Sequence, residues 1–206
     1  MPRWLVAAAV AVVVLCMAIA SPVMAGTVVV EDLTYISPEN GGTSHNLRLV
    51  VPDGQASWQF DWSPDMDGVD IGWRLPQVSW GEDFKVQPRV ILMFRDGEDT
   101  GLKLQGKVDG RFGWAMTSIR FANGKKTSFY EQAQWDALAG EDATLSVVGV
   151  FSGEFADDSR VSSNLGPAIT FHFSTKADLQ LYYGWSLVAR DSDCVWAQLD
   201  LYFPSD

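Results

Sequence analysis

Cys194-Val195-Trp196-Ala197-Gln198-Leu199-Asp200-Leu201-Tyr202-Phe203 is the stretch that decides the fold class. Val195, Ala197, Leu199, Leu201 and Phe203 fall on one side of it, and Trp196, Gln198, Asp200 and Tyr202 on the other. Successive side chains of a strand point to opposite faces, so a period of two describes a strand with one apolar and one polar-aromatic face.

The same alternation recurs upstream. Trp58, Phe60 and Trp62 alternate with Gln59 and Asp61, and Val69, Ile71, Trp73 and Leu75 with Asp70, Gly72, Arg74 and Pro76. Leu102, Leu104 and Val108 alternate with Lys103, Gln105 and Lys107, and Ile169, Phe171 and Phe173 with Thr170, His172 and Ser174. Val90 to Phe94 and Val147 to Phe151 are apolar throughout and read as central strands covered on both faces. Asp67-Gly68, Asp96-Gly97, Asp109-Gly110 and Asn123-Gly124 supply the positive φ angles of tight turns between the runs. About ten to twelve strands follow from these rules.

One segment departs from the pattern. Ser128-Phe129-Tyr130-Glu131 has the form of a capping box, Ala133, Trp135, Ala137 and Leu138 suit a helical stripe, and Gly140 can end it. The expectation is one short helix near 129–139.

The predicted fold is therefore all-β: an antiparallel β-sandwich, jelly-roll-like, with that helix. A closed antiparallel β-barrel is the alternative. It can be soluble and lipocalin-like around an apolar cavity, or an outer-membrane barrel with apolar faces toward lipid. The last strand suits a membrane barrel well. The scarcity of long loops (chiefly Ser37 to Ser44 and Ala156 to Gly166), the doubly apolar runs and the predicted helix weigh against it.

Residues 1–25 read as a secretory signal peptide. Arg3 gives a positive start, Leu5 to Ala20 is an uncharged apolar run, and Val23 and Ala25 precede Gly26 in a cleavable small-residue pattern. Residues 26–206 are expected to form a single β-rich domain in the periplasm or outside the cell, or in the outer membrane under the barrel alternative. The leader carries one Arg and no acid, so 14 basic and 26 acidic residues remain, a formal charge of −12. That balance excludes a nucleic-acid partner, which needs clustered Lys and Arg. Membrane association is expected only under the barrel alternative. Cys194 alone remains after cleavage, so no intrachain disulfide framework is expected, and the cysteine reads as a small buried side chain.

No pattern assigns catalytic roles. There is no Gly-x-Ser-x-Gly elbow, and His45 and His172 are the only histidines. His172 is expected to face solvent from its strand. Asp65, Asp67 and Asp70 surround a glycine turn and could hold a structural calcium ion, although the spacing fails an EF-hand. Trp58, Trp62, Trp73 and Trp185 are expected to fill the core. Trp80, in a Trp-Gly-Glu-Asp turn, and the face of Trp196, Gln198, Asp200 and Tyr202 are the candidate ligand surface. An aromatic ring beside carboxylates and amides suits a sugar, which offers an apolar C–H face and hydroxyls. The resulting expectation is a non-enzymatic envelope module that binds a glycan or an envelope partner. The alternatives are an outer-membrane channel or scaffold and a carrier of an apolar ligand. Intact-mass spectrometry of the exported chain should find Gly26 at its N-terminus; retention of Met1 contradicts the leader.

Overall fold

The computed structural model describes residues 27–36, 43–53, 56–63, 68–95, 100–122, 126–155, 161–188 and 193–204. The expected leader lies outside them, as do Asp65 and Asp67. The chain begins with β1 (Thr27–Ile36), β2 (Thr43–Asp53), β3 (Ala56–Ser63) and β4 (Gly68–Arg74). A short β5 (Val78–Trp80) precedes β6 (Phe84–Arg95), β7 (Gly101–Gly110) and β8 (Gly113–Ala122). Then follow β9 (Ser128–Ala139), β10 (Ala143–Glu154), β11 (Val161–Ser174), β12 (Ala177–Ser186) and β13 (Cys194–Pro204). Among the described residues every regular element is a strand.

Apart from β4 and β5, each strand pairs antiparallel with its neighbour in sequence, and two further pairings close the sheet on itself. β1 pairs with β13 from Thr27↔Pro204 to Ile36↔Val195. β4 pairs with β6 from Gly68↔Arg95 to Arg74↔Arg89. The short β5 continues along the same edge of β6 that β4 occupies, through Val78↔Val86 and Trp80↔Phe84. The result is a closed antiparallel barrel of twelve strands, with β5 extending the β4–β6 seam at one end. The expected sandwich is corrected to the barrel. Closure satisfies the edge N–H and C=O groups that an open sheet would leave bare.

The expected helix is also corrected, because residues 128–139 are β9. Ala133, Trp135 and Ala137 fit a helical stripe but also recur every second residue, and the period of two wins. Its backbone is bonded on both sides, to β8 through Ser118↔Tyr130 and to β10 through Gly149↔Ala133. A register shift at Leu145/Ser146 marks where the β9–β10 ladder bends.

Alternation sorts the side chains into an outer apolar shell and an inner polar one. Trp58, Trp73 and Trp185 are therefore not core residues. They stand on the outer surface, Trp185 at 53 % exposure, while Trp196 faces inward at 3 %. The two uninterrupted apolar runs divide the same way. Val90, Leu92 and Phe94 face out, whereas Ile91, Met93 and Val148 are buried inside. The tightest cluster, Val148, Ala168, Tyr182 and Trp196, packs inside the barrel against Leu33, Tyr35, Val150 and Cys194.

The two ends of the barrel differ. The end where β1 starts and β13 finishes uses the connections 54–55, 111–112, 140–142 and 175–176, besides the β5 segment. The other end uses 37–42, 64–67, 96–100, 123–127, 155–160 and 187–193. Exposed aromatic side chains gather near both ends of the outer surface. Trp58, Trp73, Phe84, Phe112, Phe173 and Phe203 ring the short-turn end; Phe94, Phe121, Phe151, Phe155, Tyr183 and Trp185 ring the other.

Tyr182 leans over Gly184, where an added Cβ would meet its hydroxyl end at 2.0 Å. Gly184→Ala should therefore cost about 1–3 kcal/mol in equilibrium unfolding, the usual penalty for overpacking. Combining it with Tyr182→Leu should cost less than the sum of the two single changes.

Candidate functional site: the polar lumen

The inner faces of the strands surround a cavity of about 1470 Å³ lined from every side of the ring. One arc of it is held by ion pairs. Arg48 on β2 bridges Glu31 on β1 (Nη1–Oε2 2.7 Å) and Asp61 on β3. Gln59 Nε2 donates to the second oxygen of Asp61 at 2.6 Å, and Arg74 Nε donates to Gln59 Oε1 at 2.8 Å. Arg74 Nη2 also lies 3.8 Å from Glu31 Oε1. Charges this sheltered persist only when paired and hydrogen-bonded, and these are.

The arc continues with cations. Lys103 Nζ lies 3.3 Å from Asp70, and Lys107 Nζ lies 2.7 Å from Asp109 and 5.3 Å from the Trp114 ring centroid. Arg89 donates from Nη1 to Gln105 Oε1 at 3.2 Å and from Nη2 to Gln87 Oε1 at 3.3 Å.

The opposite arc carries carboxylates and amides. Gln180 Nε2 donates to Gln134 Oε1 and Thr170 Oγ1, both at 2.9 Å. Gln134 and Ser146 donate in turn to Asp136 Oδ1, at 2.8 and 2.7 Å. His172 bonds Thr144 through Nε2 (2.9 Å) and Asp178 through Nδ1 (2.8 Å), and the Tyr202 hydroxyl donates to the other Asp178 oxygen at 3.0 Å. Tyr35 of β1 and Tyr130 of β9 approach each other across the interior.

The structure brings together one of the two candidate ligand surfaces. Trp196, Gln198, Asp200 and Tyr202 do share a face, and that face is the lumen wall. Gln198 donates to both Asp200 oxygens, at 2.9 and 3.0 Å, and the Trp196 ring packs 5.0 Å from Tyr182. Trp80 stands apart on β5, beyond the end of β4 and 74 % exposed. Asp70 faces inward to Lys103, and no group of three or more metal-ligating residues occurs among the described residues. His172 faces the water-accessible interior, not an outer surface. His45 lies on β2, with its Nδ1 3.0 Å from Thr34 Oγ1.

The basic half of the site was missed at the level of sequence. Its signal is a cation between apolar neighbours on a strand, as in Leu47-Arg48-Leu49 and Pro88-Arg89-Val90. In a soluble sandwich such a cation belongs to the wetted outside; in this barrel it marks the wetted inside.

No protein-family model matches the chain, and no curated relative does. Solved structures do. The fold is similar to that of the KdgM porin (TM-score 0.60, 10 % identity, 85 % of this chain and 99 % of that one). It is similar to the NanC porin (0.61, 9 %, 85 % and 100 %). It also resembles an outer-membrane channel from Pseudomonas putida F1 (0.61, 14 %, 89 % and 97 %). A second KdgM structure is a complex with disordered oligogalacturonate, with TM-score 0.61 and 10 % identity over 85 % of this chain and 99 % of that one. At these identities the likeness is one of fold.

Replacing Arg48 by Met should leave Asp61 without its ion-pair partner and Glu31 with only the longer contact to Arg74. The expected loss is about 3 kcal/mol in urea unfolding, partly recovered when Asp61→Asn is added.

Proposed function

We propose that this chain is an outer-membrane β-barrel channel that lets small polar solutes, sugars among them, cross the bilayer. The observation that carries the reading is the inverted distribution of polarity. Leu92, Leu104, Ile119, Val147, Leu165, Leu181 and Leu199 are exposed on the outer surface, whereas Glu31, Arg48, Arg74, Arg89, Lys103 and Asp200 line the interior. A soluble barrel loses free energy on both counts. In lipid the arrangement is favourable, and closure leaves no unsatisfied backbone within the hydrocarbon.

Two further features support it. Aromatic residues gather near both ends of the outer surface, where membrane barrels carry their interfacial girdles. Short turns lie at one end and longer connections at the other, as membrane barrels arrange their periplasmic and extracellular ends. On that reading β1 starts and β13 ends in the periplasm. No described helix is long and apolar enough to cross a membrane, so the crossing belongs to the strands. A glycan as permeant fits the lumenal face of Trp196, Gln198, Asp200 and Tyr202, and the neighbouring fold's oligogalacturonate complex supports it. The soluble envelope module gives way to the channel, because its motivation was an apolar face turned inward.

Folded protein should fractionate with the outer membrane, migrate faster on gels before boiling than after, and conduct ions in planar bilayers. Release into a soluble periplasmic extract overturns the proposal. Leu181→Arg, midway along β12 on the outer face, should reduce folding stability in bilayers by about 2–4 kcal/mol. The same change at a lumenal position on that strand, Gln180→Arg, should cost less.

A further inference from the structure

We infer that Arg89 forms an oxyanion station in the lumen, taking the carboxylate, sulfate or phosphate group of a solute inside the barrel. The inference deepens the channel reading by naming the charge of a preferred permeant, and it rests on that reading.

Arg89 is 5 % exposed, yet it lines the cavity. Four cations of the same arc have carboxylates: Arg48 and Arg74 with Glu31, Lys103 with Asp70, Lys107 with Asp109. Among the described residues Arg89 has no carboxylate within ion-pair distance. Two side-chain amides hold it instead, and its Nε has no acceptor at all. A guanidinium has five N–H donors. Gln105 and Gln87 use two of them, so donors remain on Nε and on both terminal nitrogens.

The surroundings raise the cost of leaving that charge alone. Arg74 is opposite Arg89 on β4, and Gln105 is opposite it on β7, flanked in sequence by Lys103 and Lys107. Of the carboxylates that line the cavity, Glu31 is engaged by Arg48 and Arg74, while Asp136, Asp178 and Asp200 come from the other arc and are bonded there to amides, a serine, a histidine and a tyrosine. A buried cation among cations is unfavourable unless an anion reaches it. The two glutamines also fix the guanidinium in position, so little side-chain freedom is lost when an anion arrives. Planar, charge-assisted hydrogen bonding of this kind selects carboxylates and other oxyanions over neutral hydroxyls.

The test is calorimetric titration of the detergent-folded barrel with sodium glucuronate and, separately, with glucose, beside conductance in planar bilayers. Wild type should bind glucuronate more tightly than glucose. Arg89→Gln should weaken glucuronate about tenfold and leave glucose unchanged, the scale of one lost charge-assisted contact. Gln105→Glu, which keeps Arg89 but puts a carboxylate beside it, should weaken glucuronate similarly and covers the case in which Arg89→Gln fails to fold. Equal binding of both sugars by wild type overturns the station, as does undiminished glucuronate binding by the variants. Absence of conductance with intact glucuronate binding overturns the channel reading and leaves the station standing.

Discussion

Everything in this molecule depends on the seam where β4 meets β6. A β-sheet that ends leaves a row of unpaired N–H and C=O groups, tolerable in water and prohibitive in hydrocarbon. The seam removes that row by pairing Gly68–Arg74 with Arg89–Arg95. Its closeness has a local cause: a Cβ at Gly72 would stand 2.9 Å from Ile91 Cγ1, so glycine lets the two strands approach without displacing a buried side chain. With this pairing and that of β1 to β13, the sheet acquires an inside and an outside.

Closure then turns a period of two into a sorting rule. Each strand sends one set of side chains outward and the other into a lumen that twelve strands make too wide for side chains alone to fill. Where the inward set is apolar, at Val148, Ala168, Tyr182 and Trp196, it packs as a small core. Where it is charged, it divides into an arc of arginines and lysines and an arc of carboxylates, amides and His172. Arg48, Arg74, Lys103 and Lys107 are held by carboxylates, and Arg89 is held by glutamines.

The strands themselves were legible from sequence. The runs around Trp58, Val69, Leu102, Ile169 and Val195 each became part of a strand, and Asp-Gly and Asn-Gly pairs fell at or near strand ends. Which face is the inside was not legible, because alternation is the same for a sandwich in water and a barrel in lipid. That one ambiguity reversed the placement of Trp58, Trp73 and Trp185 and turned the proposed ligand face of Trp196 into lumen wall. β9 was hidden for a different reason: Ser128 and Glu131 at capping spacing, followed by alanines, satisfy helical and extended periods alike, and only pairing with β8 and β10 decides between them. The basic arc stayed invisible because its members lie on several strands, brought together by the register of β2, β3, β4, β6 and β7.

The most direct measurement of the central claim is fluorescence quenching of single-tryptophan variants in bilayers of acyl-chain-brominated lipid. The account predicts strong quenching of Trp185, on the outer face of β12, and little of Trp196, on the inner face of β13. Quenching of Trp196 with Trp185 untouched, or of neither, would contradict a barrel that turns its apolar face to lipid and its polar face to the lumen.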